Sequence, residues 1–127
     1  MIPESHLDLL TRPLFAHRAT IGPDGTLNVN PVWAIWDGEF LRFTTTTDRC
    51  KCRNVMENPH LAVSINDPEE PYRYVESRGV VERAEPDPSG DFFDVPARRY
   101  GLRYARPVGD AERQVVIVMK PTRTTRQ

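Results

Sequence analysis

The stretch Leu27–Thr46, LNVNPVWAIWDGEFLRFTTT, decides the fold. Asp37-Gly38 at its centre is a hairpin signal, because tight two-residue connections need left-handed backbone that Gly and Asp tolerate. Leu27 to Trp36 before it and Phe40 to Thr46 after it are rich in the residues that favour strands. Upstream, Gly22-Pro23-Asp24-Gly25 is a second turn on chemical grounds, which makes Leu14 to Ile21 a first strand. The first half of the chain therefore reads as a meander of three antiparallel strands.

The pattern changes on either side. Pro3 to Leu10 reads as a short helix within an N-terminal segment 1–12, since Pro13 forbids its continuation. Asp48 to Glu57 reads as a helix with Asp48 as N-cap and Asn58-Pro59 as its stop. Leu61, Val63 and Ile65 then alternate with Ala62, Ser64 and Asn66, a fourth strand with one buried face. After the polar turn Asp67–Pro71, Tyr72 to Ala84 is a long fifth strand. Val75, Ser77, Gly79 and Val81 share one of its faces, with Tyr72, Tyr74, Glu76 and Arg78 on the other. Asp91 to Tyr100 reads as a helix, Val115 to Met119 as the last strand, and 123–127 as a loose tail. Six strands with short helices at the joints give a mainly β (α+β) chain, a small antiparallel barrel or sandwich forming a single domain over 1–127. The Leu27–Trp36 and Val115–Met119 strands are apolar on both faces. A strand of that kind needs a second cover, most simply another copy of the chain, so a homodimer is expected.

Composition excludes several classes. With 127 residues there is room for one core. A formal charge of −1 argues against a nucleic-acid or polybasic membrane partner. No apolar run approaches the ~18–20 residues that span a bilayer, and MIPESHLDLL lacks the layout of a secretory signal. The two cysteines, Cys50 and Cys52, are too few for a disulfide scaffold. A cytoplasmic protein is the expectation.

Chemistry concentrates in one place. His6, His17 and His60 form no metal-ligand spacing, so no metal is expected, and phosphate-loop, dinucleotide and nucleophile-elbow motifs are missing. The segment 44–54, TTTTDRCKCRN, instead runs hydroxyls straight into a helix start carrying Arg49, Lys51 and Arg53. Hydroxyls, free backbone donors at a helix N-terminus and converging cations are what a phosphate site requires; a solvated basic helix face is the plainer reading. Pro31 inside a strand removes one ladder donor and leaves neighbouring backbone groups free for a ligand's polar edge, with Trp33 or Trp36 as a flat apolar wall; core and interface packing is the plainer role of a Pro and two Trp in a strand.

The order of N-terminal helix, PVW strand, Asp-Gly hairpin, Lys51-x-Arg53-Asn54 segment, Asn58-Pro59 stop and PYRYVESRG strand resembles the pyridoxamine-phosphate-oxidase-like split β-barrels. It is most similar to their flavin/deazaflavin oxidoreductase branch. The resemblance implies a six-stranded antiparallel split β-barrel of FMN-binding type and a homodimer. It also implies that coenzyme F-420, alternatively FMN, binds between the subunits. On the same grounds Thr44 and Thr45 lie near the cofactor phosphate, and Lys51 is the phosphate lysine flanked by Arg49 and Arg53, ahead of Asn54. Pro31, Val32 and Trp33 meet the ring, and Tyr74 approaches from the opposite subunit. Cys50 stands where FMN-binding members usually carry an arginine, a departure that favours the deazaflavin. The acid-free run Arg98, Arg99, Arg103 and Arg106 suits a polyglutamate tail, which F-420 has and FMN lacks; a solvated face whose arginines pair with the acidic stretch Glu82 to Asp94 is the plainer reading. The implied activity is hydride transfer from reduced F-420 to a small planar acceptor, with Tyr74 and Tyr100 as candidate proton donors. A non-catalytic carrier or sensor is a further alternative.

Overall fold

The computed structural model describes residues 2–46, 57–86 and 114–127. A short 3-10 turn, Glu4–His6, leads into helix α1, Asp8–Thr11. Seven strands follow: β1 Ala16–Ile21, β2 Leu27–Val32, β3 Ala34–Trp36, β4 Leu41–Thr46, β5 His60–Asn66, β6 Tyr74–Pro86 and β7 Gln114–Arg126. They form one antiparallel sheet in the order β2-β1-β5-β6-β7-β4-β3. The two edge strands, β2 and β3, are neighbours in the chain with Trp33 alone between them. One stretch of backbone thus serves both edges, and the sheet curls into a barrel to let it do so. Here the expectation of six strands is corrected to seven. Leu27–Trp36 is not one strand, because at Trp33 the chain stops pairing with β1 and begins pairing with β4.

The turns follow the sequence reading. Gly25 and Gly38 carry positive φ, 85° and 99°. Asp37 Oδ1 accepts from the amides of Glu39 and Phe40 at 2.9 and 2.7 Å, which fixes the β3–β4 connection. The tail 123–127, expected loose, is corrected as well: Arg123 to Arg126 pair with Arg78 to Val75, and Gln127 exchanges backbone bonds with Tyr74 at 3.1 and 3.2 Å. Its polar composition hides this, because the pairing is dictated by the thirteen-residue β6 alongside it. The β6–β7 register shifts twice, between Arg78 and Gly79 and between Val81 and Arg83. Gly79 permits the first shift, since a Cβ there would strike the Lys120 carbonyl oxygen and the Met119 methyl.

The core lies inside the curl. Leu41, Phe43, Leu61, Val63, Ile65, Val75, Val115, Ile117 and Met119 fill it, and Leu9 and Leu10 of α1 cap one end. Polar residues flank Val63 in one row across this interior: Asn30, Arg18, Val63, Ser77 and Thr124 are successive cross-strand partners. Arg18, 1% exposed, lays its guanidinium over the Phe43 ring at 5.3 Å. The helix is tied down by charge. Arg73 grips Asp8 through two bonds of 2.7 and 3.1 Å and donates to the Ser5 carbonyl, while Arg12 reaches Asp67 at 3.3 Å.

Val116 and Val118 are buried within the single chain. Arg42, opposite Val118, reaches from β4 to Glu85, opposite Val116, on β6 at 3.0 Å, so the ion pair links the two strands that flank β7. The outer face of β2 differs, with Leu27, Val29 and Pro31 all exposed. No helix among the described residues is long and apolar enough to cross a membrane.

Candidate functional site

The barrel gathers several of the expected site residues at one place. The β3–β4 ladder ends at the pair Ala34 and Phe43, so Trp33 and Thr44, each one residue further on, share that end. Thr44, Thr45 and Thr46 pair with Val116, Val115 and Gln114 at the end of β4. Thr44 is half-buried and lies on the same face as Arg42. Pro31 is exposed near the end of β2, and Val32 and Trp33 are half-buried beside it. Pro31 has no N–H to donate, so backbone pairing thins just where the strand changes partners.

The electrostatics at this end are specific. Arg42 is held by Asp37 at 2.9 Å and by Glu85 at 3.0 Å. Its pKa is raised, first by the Asp37 hydrogen bond and then by Glu85, so its charge is already matched. Burial pushes the Asp37 carboxyl up, yet the Phe40 and Glu39 amides and Arg42 together hold it below the usual range. Cationic charge for an anion here therefore has to come from elsewhere. Arg49, Lys51, Arg53 and Asn54 follow directly in the chain and lie outside the described residues, as do Tyr100 and the 98–106 arginines. The described residues at this corner are the half-buried Trp33, the exposed Pro31 with no amide hydrogen to donate, and the half-buried Thr44.

Tyr74 is elsewhere. It begins β6, and its neighbour Val75 pairs with Arg126, whereas Thr45 pairs with Val115 on the same strand β7. Eleven residues separate those two positions, roughly 30–36 Å of extended chain. Tyr74 therefore does not join the site built by its own chain. Sequence reading missed the Arg42–Glu85 strut and the inward Arg18, since neither a charged residue in a strand nor its spacing says which face is buried.

Comparison with known proteins agrees with this architecture. The family model described as pyridoxamine 5'-phosphate oxidase matches residues 2–126. A solved F-420 reductase is 48% identical, covering 99% of this chain and 100% of its own, with a TM-score of 0.95. HupZ of Group A Streptococcus is 18% identical over 99% of this chain and 94% of its own, with a TM-score of 0.72. A conserved hypothetical protein of Mycobacterium tuberculosis is 20% identical over 98% and 83%, with a TM-score of 0.75. These last two share the fold. No curated protein matches the chain.

Proposed function

The chain belongs to the pyridoxamine 5'-phosphate oxidase family, and on that premise we propose that it is an oxidoreductase that uses coenzyme F-420. One observation carries the choice: among these relatives, the one that shares 48% of its residues with this chain, end to end, is an F-420 reductase. The departure at Cys50 and the arginine run 98–106 support the same choice over FMN.

In this reading the cofactor lies at the seam of a homodimer. Lys51, flanked by Arg49 and Arg53 and followed by Asn54, holds its phosphate with the Thr44 and Thr45 hydroxyls. Pro31, Val32 and Trp33 border its ring, and Tyr74 comes from the opposite subunit, which fits its distance from Thr45 within one chain. The bound deazaflavin supplies a hydride, and the protein supplies orientation and exclusion of water on one ring face. The acceptor is a small planar molecule, and Tyr74 or Tyr100 donates the proton that completes its reduction.

Titration of the protein with F-420 and with FMN, followed by quenching of Trp33 and Trp36, tests the reading. F-420 is expected to quench and to support acceptor-dependent oxidation without air. A protein that purifies yellow with FMN, and ignores F-420, overturns it. Binding of F-420 without turnover across a broad acceptor panel makes the chain a carrier.

A further inference from the structure

We propose that Glu85 is a specificity-determining residue of the candidate site: by occupying Arg42 it keeps one cation from the Thr44 corner, and so favours a phosphodiester, as in F-420, over a phosphomonoester, as in FMN. This deepens the cofactor reading above and rests on it. The ladder registers place the residues. Thr44 on β4, Val116 on β7 and Glu85 on β6 are successive cross-strand partners, and Arg42, Val118 and Arg83 form the row beside them. Directly opposed residues in antiparallel strands point to the same side. Val115, Ile117 and Met119 belong to the core, so Val116, Val118 and both rows lie on the other face of the sheet. From the spacing of strands and residues, Arg42 stands roughly 7 Å from Thr44 along β4, and Glu85 roughly 9–10 Å from it across β7.

The contacts show what Glu85 withholds. Arg42 Nη1 donates to Glu85 Oε1 at 3.0 Å, so the ion pair crosses from the Arg42 row to the row of Thr44. Arg42 Nε donates to Asp37 Oδ2 at 2.9 Å, and Asp37 is itself fixed by the Glu39 and Phe40 amides. Loss of the Glu85 charge therefore leaves Arg42 anchored at one end and released at the end nearer Thr44. Arg83 cannot take its place. It lies over the Phe40 ring at 5.5 Å, pairs with Glu82 at 3.2 Å and closes on the same Glu85 oxygen at 3.5 Å. The consequence for a ligand follows from charge. A phosphodiester carries one negative charge, whereas a phosphomonoester carries nearly two once pH exceeds its second pKa of about 6. An added cation gains most from the more highly charged group. A corner that holds Arg42 in reserve suits the diester.

The test is the ratio of the dissociation constants for FMN and F-420, read by tryptophan quenching at about pH 8, where the monoester is a dianion. Wild type is compared with Glu85→Gln and with Glu82→Gln, which removes the same charge from a carboxylate paired with Arg83. Glu85→Gln is expected to tighten FMN relative to F-420 by roughly three- to tenfold, the size of one charge acting over roughly 7–10 Å near a protein surface. The shift should shrink in about 1 M salt. Glu82→Gln is expected to keep the wild-type ratio; an equal shift there overturns the particular role of Glu85. Damaged packing weakens both ligands alike and leaves the ratio where it was. Arg42→Gln leaves Asp37 and Glu85 unopposed and is expected to move the ratio the other way, and it carries the test should Glu85→Gln fail to fold. Wild type that prefers F-420, with a ratio that neither substitution moves, overturns the proposal and leaves the cofactor reading standing. Wild type that prefers FMN overturns both.

Discussion

Ser77 and Thr124 face one another across β6 and β7 with hydroxyls that are buried and find no partner among the described residues. A buried hydroxyl without a hydrogen bond costs stability, so removing it is close to free. Ser77→Ala and Thr124→Val are therefore expected to leave the melting temperature unchanged or raise it. A fall of more than about 4 °C in either would mean that the hydroxyl is satisfied, for example by internal water. The functional residue that carries most weight is Lys51. Its replacement by Ala is expected to weaken F-420 binding by about 1.5–3 kcal/mol, as for a charge-assisted contact to phosphate. An unchanged dissociation constant would remove the phosphate assignment. Arg42, on the same face of β4 as Thr44, offers an anion no free charge, because Asp37 and Glu85 already occupy its guanidinium.

Among the elements, α1 and the end of β7 are where prediction and structure part most usefully. Hairpins at Asp24-Gly25 and Asp37-Gly38 and the inward set Val75, Ser77 and Gly79 were legible, because turn chemistry and period-two alternation are local properties. The split at Trp33 and the pairing of Arg123–Arg126 were not, since both depend on which strand lies alongside, which no local pattern records. Truncation after Thr122 removes that pairing and the His6 contact to the Gln127 carbonyl, and should cost about 2–4 kcal/mol in urea denaturation. An unaffected midpoint would mean that the tail is frayed. The α1 latch gives a pH signature. The Arg73 hydrogen bond holds Asp8 below the usual carboxylate range, and the Glu69 amide, with Arg12, does so for Asp67. A lowered folded pKa adds stability that is complete above the unfolded value, about 4, and is lost as pH falls through the folded values. Acid should therefore loosen residues 2–12, seen as faster amide exchange below about pH 4. Arg73→Gln should flatten that dependence; an identical acid profile in the variant would show that the latch does not hold the helix.

On the scale of the molecule, the barrel closes because one stretch of backbone, Leu27–Trp36, serves both edges of its sheet. The same stretch exposes Leu27, Val29 and Pro31 and passes through Trp33 beside Thr44, so fold closure and candidate site share a single piece of sequence. The central claim is that a pair of chains holds one deazaflavin per subunit at their shared boundary. Sedimentation velocity of the protein with F-420, followed at the cofactor's own visible absorbance, tests it most directly. The account predicts that the colour moves with a particle of two chains, one cofactor per chain. Colour that travels with a single chain, or stays behind in the solvent, would contradict it.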